Sequence, residues 1–248
     1  MGVSRLVTKR ACSAWVEDIG CVLVRNVLFG VMACASIPYA RRPSRMDCHM
    51  TAPTKPGIFC LEGAWNKRID DRVSVLPTLE MLERIERSTY VHRDVGTEEE
   101  LYHYLAKWCQ AGYRRYGVLY FAFHGVPGGI QVGRGTVTLY DLAEKLNGKA
   151  KGRIVYFGCC SVMKDHKSVE EFQRLTGAKL VCGYSKKVGW VESAAFDLLL
   201  LESLTSDARI DARVNHLRAR YGDLTRLLGF RSLPSFDHVR TAAAKAAL

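Results

Sequence analysis

Two apolar stretches, residues 117–123 (GVLYFAF) and 153–158 (RIVYFG), indicate the fold of this chain. Both are short and almost entirely apolar, as expected of central strands buried on both faces of a parallel sheet. Strand patterns alternate with helix patterns around them, which is typical of a parallel sheet covered by helices on both faces. The sequence therefore predicts an α/β domain with a mostly parallel sheet.

The other expected elements complete this alternation. Thr97 and Glu100 have the spacing of a capping box and predict the start of a helix. A glycine-rich span, residues 125–135, followed by residues 136–140, predicts a hairpin. Further strands are expected at 57–61, 89–92 and 179–183, and further helices at 73–86, 142–146, 168–175 and 192–204.

Composition divides the 248 residues into three parts. We interpret 1–54 as an extension, 55–206 as the α/β domain and 207–248 as a basic helical tail. The tail carries one apolar stripe with arginines around it, which favours a helix packed on the domain with a solvated basic face. The members of this stripe are Ile210, Val214, Leu217, Tyr221, Leu224 and Leu228.

The net charge of +11 and the pI of about 9.3 would suit an acidic partner. No zinc finger, RNA-recognition signature or basic zipper accompanies the charge. We therefore interpret the positive charge as a contribution to solubility that is concentrated in a basic appendage. We predict neither a nucleic-acid nor a membrane partner.

Nine cysteines occur without a C-x-x-C pair. Their spacing argues against a zinc site, and their odd number argues against a secreted disulfide scaffold. No metal is expected, and a reducing cytoplasm is the predicted compartment.

An apolar run at 27–37 leaves a secreted form open. It is too short to span a bilayer but resembles the hydrophobic part of a signal peptide, with Ala33-Cys34-Ala35 as a small-residue cleavage site. Two other interpretations stay open: an extension without a role, or a working protein that begins near Met46 or Met50.

Candidate catalytic residues follow the two central strands directly. His124 and Gly125 come after the first, and Cys160 follows Cys159 after the second. The carboxyl ends of neighbouring parallel strands meet at one edge of a sheet, where functional groups gather. An ordinary thiol is only a few per cent thiolate at neutral pH, so a nearby imidazole would activate it, and the Gly125 backbone would contribute to an oxyanion hole.

Either of two adjacent cysteines fits the nucleophile's position. Successive side chains that leave a strand point to opposite sides, so only one of them faces His124. Cys160 is preferred because a small residue precedes it and Ser161 follows it, and Cys159 is the alternative.

The pattern of apolar strand, His-Gly, apolar strand and Cys resembles the caspase-like (clan CD) cysteine peptidases over residues 57–204. The two residues are 160 − 124 = 36 positions apart and the caspase pentapeptide is absent, so the pattern is nearer to bacterial CHAT-type peptidases. The resemblance implies a caspase-like α/β/α sandwich and an endopeptidase that acts through a thioester acyl-enzyme without a cofactor. It also implies a protein or peptide substrate, a regulatory protein partner, and a role in bacterial stress or defence.

The same resemblance implies where the specificity pocket lies. Tyr184 and Trp190 would form its walls, and Asp165 or Glu192 would be the buried carboxylate of a basic-specific enzyme. Glu62, after the first strand, is interpreted as a solvated loop charge, with a place at the rim of the pocket as the alternative.

Two other functions compete with peptidase activity. The first is a catalytically inactive α/β module that binds protein or nucleic acid. The second is a serine hydrolase, which fails because the chain contains no G-x-S-x-G motif.

Overall fold

A computed structural model describes residues 56–68, 70–206 and 209–235. The predicted extension at 1–54, with its apolar run at 27–37, lies outside the described residues, as does the tail beyond residue 235. The longest described helix has 15 residues, and no helix in these ranges is long and apolar enough to cross a membrane.

The described elements follow the predicted alternation of strands and helices. The strands are β1 (Ile58–Gly63), β2 (Tyr90–Val95), β3 (Val118–Ala122), β4 (Gly125–Val126), β5 (Gly129–Val132), β6 (Gly135–Thr138), β7 (Ile154–Phe157), β8 (Leu180–Tyr184) and β9 (Phe230–Leu233). The helices are α1 (Leu76–Arg84), α2 (Glu98–Trp108), α3 (Leu139–Leu146), α4 (His166–Thr176), α5 (Trp190–Leu204), α6 (Ile210–Arg220) and α7 (Gly222–Leu228).

Six strands form the central sheet in the order β2-β1-β3-β7-β8-β9. The first five are parallel, and β9 runs antiparallel to β8 at the edge. This arrangement confirms the predicted α/β fold with a mostly parallel sheet. The two diagnostic stretches of sequence are β3 and β7, which lie side by side in the middle.

Helices cover both faces of the sheet because its central strands are apolar on both sides. In β3, Leu119 and Phe121 face the core under α2, α3 and α4. Val118 and Tyr120, the alternate residues, face the core under α1, α5, α6 and α7. The predicted capping box is present: the Thr97 hydroxyl accepts the N–H of Glu100, whose carboxylate accepts the N–H of Thr97.

The predicted hairpin is a separate three-stranded antiparallel sheet, β4-β5-β6, inserted between β3 and α3. Gly128 has a φ of 72°, in the left-handed region that favours glycine, at the turn from β4 to β5. The helix expected at 142–146 begins earlier, because Thr138 caps α3 with Asp141 as the third residue of a capping box.

The described part of the tail, residues 210–233, packs on the α/β domain. Its apolar stripe packs on the domain as predicted, but the stripe is divided between α6 and α7, which meet at Tyr221. Gly229, at a φ of 63°, ends α7, and the chain then enters β9. β9 pairs with β8, so residues 230–233 are part of the central sheet.

The last strand is expected to be part of the folding unit. Phe230 is 7% exposed and its ring lies 5.0 Å from that of Phe196 in α5. We expect Phe230→Ala to lower the free energy of unfolding by about 3 kcal/mol, because it leaves a cavity between β9 and α5. Urea denaturation followed by circular dichroism measures this loss.

Leu227→Ala is the matched control, since Leu227 is 59% exposed on the neighbouring helix. Its effect should stay within about 0.5 kcal/mol. An unchanged midpoint for Phe230→Ala would contradict the assignment of this segment to the core.

Candidate active site

The pairing of β3 with β7 brings the two predicted catalytic segments together. Phe121 is opposite Phe157 in the parallel register, so both chains leave the sheet at the same edge. A Cβ atom added to Gly125 would lie 2.3 Å from the carbonyl oxygen of Cys160. The backbone after β3 is therefore in direct contact with the backbone after β7.

His124 and Cys160 line one cavity of about 330 Å³ at this edge. Most of its wall is apolar, and the apolar lining includes Trp65, Val75, Pro77, Val188 and Trp190.

The backbone of Trp65 determines which imidazole nitrogen of His124 carries a proton. The Nε2 atom lies 2.8 Å from the carbonyl oxygen of Trp65. A carbonyl oxygen only accepts, so Nε2 must donate, and in the neutral ring the lone pair is on Nδ1. The Trp65 ring also packs edge-on against the imidazole, with 5.3 Å between ring centroids. The imidazole of His124 is thus exposed and held in a defined tautomer.

The two adjacent cysteines have different surroundings. Cys159 is completely buried, and its thiol donates to the carbonyl oxygen of Phe121 at 3.2 Å. Burial raises the pKa of Cys159 well above that of an ordinary thiol. Cys160 is only partly buried, lines the cavity and accepts the N–H of Val188 at 3.4 Å on its sulfur. Of the two candidates, only Cys160 reaches the cavity that His124 lines.

Gly125 provides the close approach between the two segments. It begins β4, where it is opposite Ile130. The N–H of Gln131 donates to the carbonyl of His124, so the pair 125–130 is a non-hydrogen-bonded one. The N–H of Gly125 therefore points away from β5.

Glu62 was expected to be a solvated loop charge, but the structure buries it. It is 2% exposed and accepts four hydrogen bonds at the end of β1. The donors are Trp65 Nε1 at 2.5 Å, His92 Nε2 at 2.6 Å, Ser74 Oγ at 2.7 Å and the Val75 N–H at 2.8 Å. Burial by itself raises the pKa of Glu62, but these hydrogen bonds lower it below its usual value. The carboxylate thereby holds in place the residue whose carbonyl orients His124.

Glu62, His92 and Asp94 have side-chain ligand atoms within 4.8 Å of one another, the spacing of a metal site. Four donors already surround the Glu62 carboxylate, however, and one of them is the ring nitrogen of His92. The group fits a hydrogen-bonded centre better than a cation site.

A second buried carboxylate, Asp197 in α5, lines the cavity. The sequence did not predict it as a site residue. It is 4% exposed and accepts hydrogen bonds from the hydroxyl groups of Tyr120, at 2.7 Å, Tyr156 and Tyr184. Burial raises the pKa of Asp197 to about 6, although the three hydroxyl groups oppose this shift. An aspartate within a long apolar helix was the available signal, but no spacing rule connects it to three tyrosines on separate strands.

Only one of the four residues predicted for the specificity pocket lines the cavity. Trp190 does so, and its ring packs against that of Trp65 with centroids 4.8 Å apart. Tyr184 is buried below the cavity in the hydrogen-bonded network of Asp197.

The two predicted pocket carboxylates lie elsewhere. Asp165 caps α4 by accepting hydrogen bonds from Ser168, which lower its pKa. Glu192 is exposed and folds back over Gly189 in the first turn of α5. Helix starts favour acidic side chains, which accounts for both positions.

The fold and the cavity define a class: a parallel α/β domain with histidine and cysteine at the carboxyl ends of neighbouring central strands. The chain belongs to the family of unknown function DUF6642, whose profile matches residues 55–233. This match extends to the end of β9, so the family includes the segment that completes the sheet. No curated protein matches the chain.

Contact between the two predicted catalytic segments leads us to expect that Gly125 tolerates no side chain. We expect Gly125→Ala to destabilise the fold by about 1 to 3 kcal/mol, because its Cβ would overlap the Cys160 carbonyl and neither backbone can easily move. Gly112→Ala is the control, since nothing lies within 4 Å of a Cβ added there. Equal thermal denaturation curves for the two variants would contradict the contact.

Asp197 should make stability depend on pH. The folded state holds its proton up to about pH 6, whereas an ordinary aspartate loses it near 3.8. Its contribution to stability is therefore present at low pH and is lost as the pH rises through about 6. Between pH 4 and pH 7, we expect the free energy of unfolding of wild type to fall by about 2 to 3 kcal/mol relative to that of Asp197→Asn. Urea denaturation of both proteins across this range tests the expectation, and a constant difference would contradict it.

Proposed function

We propose that this protein is a cysteine endopeptidase with Cys160 as its nucleophile and His124 as its general base. One observation carries the proposal: both side chains line a single cavity, and the Trp65 carbonyl holds His124 in one tautomer. A histidine with a defined free nitrogen beside an accessible cysteine is the arrangement that thiol catalysis requires.

The proposed reaction begins with proton transfer from the Cys160 thiol to Nδ1 of His124. The thiolate attacks the substrate carbonyl, and the resulting tetrahedral intermediate expels the amine as the C–N bond breaks. The imidazolium gives its proton to that amine, leaving a thioester on Cys160. Water, deprotonated by the same imidazole, then hydrolyses the thioester to release a carboxylic acid and restore the thiol.

Two backbone N–H groups are proposed for the oxyanion hole, those of Cys160 and Gly125. The N–H of Gly125 is directed away from β5, and its Cα packs against the Cys160 carbonyl. Donors fixed in the backbone need no reorganisation when negative charge develops on the substrate oxygen.

We propose the cytoplasm as the compartment, because nine cysteines, an odd number, do not fit a secreted disulfide scaffold. Cys60, Cys109, Cys159, Cys160 and Cys182 are all free thiols, with no disulfide in the described ranges. The substrate would be a protein or peptide. By resemblance to CHAT-type peptidases, a regulatory protein partner or processing would release the activity in a bacterial stress or defence response.

Labelling with peptidyl acyloxymethyl ketones tests the dyad. We expect wild type to gain one adduct, located on Cys160 by mass spectrometry of the digested protein. Cys160→Ala should lose it, and His124→Ala should form it about 100-fold or more slowly, the usual range for a general base.

Two cysteine controls make the result specific. Cys159→Ala removes the adjacent buried thiol and should keep labelling at Cys160, while Cys109→Ala removes a partly exposed thiol that lies outside the cavity. If adducts form on several cysteines and the labelling rate is the same in His124→Ala, the peptidase proposal is refuted. An inactive binding module would then be favoured.

A further inference from the structure

The cavity that Cys160 lines has mostly apolar walls and one carboxylate. Asp197 is the one carboxylate among the described residues that line it, and none of these residues is a lysine or arginine. Ligand pockets span roughly 300–1,000 Å³, so a cavity of about 330 Å³ is large enough for one long side chain.

Among the described residues, Asp197 has hydrogen-bond donors but no counter-ion. Its three partners are tyrosine hydroxyl groups, and no basic side chain of the described chain forms an ion pair with it. A buried charge is costly unless it is paired, so the site favours a ligand that brings a positive charge. Two hydroxyl groups donate to Oδ1 and one to Oδ2, and an ionised carboxylate offers about four acceptor positions. One position on Oδ2 therefore remains for a further donor.

The walls suit the rest of a basic side chain. Trp65 and Trp190 meet edge to face at 4.8 Å and both line the cavity. Aromatic faces attract guanidinium and ammonium groups, and the methylene stem of lysine or arginine packs well on apolar surface.

We propose that this cavity binds an arginine or lysine side chain on the acyl side of the cleaved bond, and that Asp197 determines this specificity. The inference rests on the proposed peptidase function, because Cys160, which would attack the carbonyl of that residue, borders the same cavity. An acidic substrate side chain would meet Asp197 as a like charge. Asp165 and Glu192, the carboxylates expected from the sequence, lie outside the cavity lining.

Paired probes test the inference. Peptidyl acyloxymethyl ketones that differ only in arginine or citrulline beside the reactive group have the same shape but differ in charge. We expect the arginine probe to label Cys160 of wild type at least about 30-fold faster, as removing a buried charge pair costs about 2 kcal/mol or more. Lysine should react faster than its neutral analogue norleucine, and a glutamate probe should react slowest.

Asp197→Asn is the diagnostic variant, since it removes the charge with little change of shape. We expect the arginine-to-citrulline ratio to fall towards one, because the arginine probe loses its charged partner. Circular dichroism checks the fold of the variant. If the variant does not fold, the wild-type ratio still provides the test, because it should decrease below about pH 6 as Asp197 becomes protonated.

The outcomes separate the two proposals. If citrulline, norleucine or glutamate probes label Cys160 as fast as the arginine probe does, the specificity is refuted and the peptidase stands. If no probe labels Cys160, both are refuted. Retention of the full arginine preference in folded Asp197→Asn would assign the preference to another residue.

Discussion

β3 and β7 pair in parallel across the middle of the sheet, and the candidate site depends on this pairing. It aligns Phe121 with Phe157, so the chain leaves both strands at one edge. A glycine at position 125 then lets the two segments touch, backbone against backbone. A slip of the register by one residue would reverse which side chain of each strand faces which core, so the packing of both cores holds the site together.

Two buried carboxylates hold residues around the cavity in place. Glu62 accepts four hydrogen bonds and holds the Trp65 segment, which in turn orients His124. Asp197 joins α5 to three strands through tyrosine hydroxyl groups. The environments of the two groups shift their pKa values in opposite directions, because strong donors outweigh burial at Glu62 and burial outweighs the donors at Asp197. Only Asp197 lines the cavity itself.

Sequence reasoning identified what depends on local pattern. Apolar runs predicted the central strands, Thr97 and Glu100 predicted a capped helix, and the positions of His124 and Cys160 after adjacent strands predicted a shared site. It failed where the partner is distant in sequence. The short β9 strand, FRSL, has little apolar pattern of its own, and it is recognisable only from its pairing with β8.

The sequence by itself determined the α/β class, the order of the central elements and the two segments that carry candidate catalytic chemistry. Only the tertiary structure decided that Cys160 rather than Cys159 reaches the cavity, and that Asp197 rather than Asp165 or Glu192 supplies its carboxylate. The physical reason is that periodicity reports whether a side chain faces the core or solvent. It does not report which buried groups from separate elements meet, and that depends on how α5 packs across the sheet.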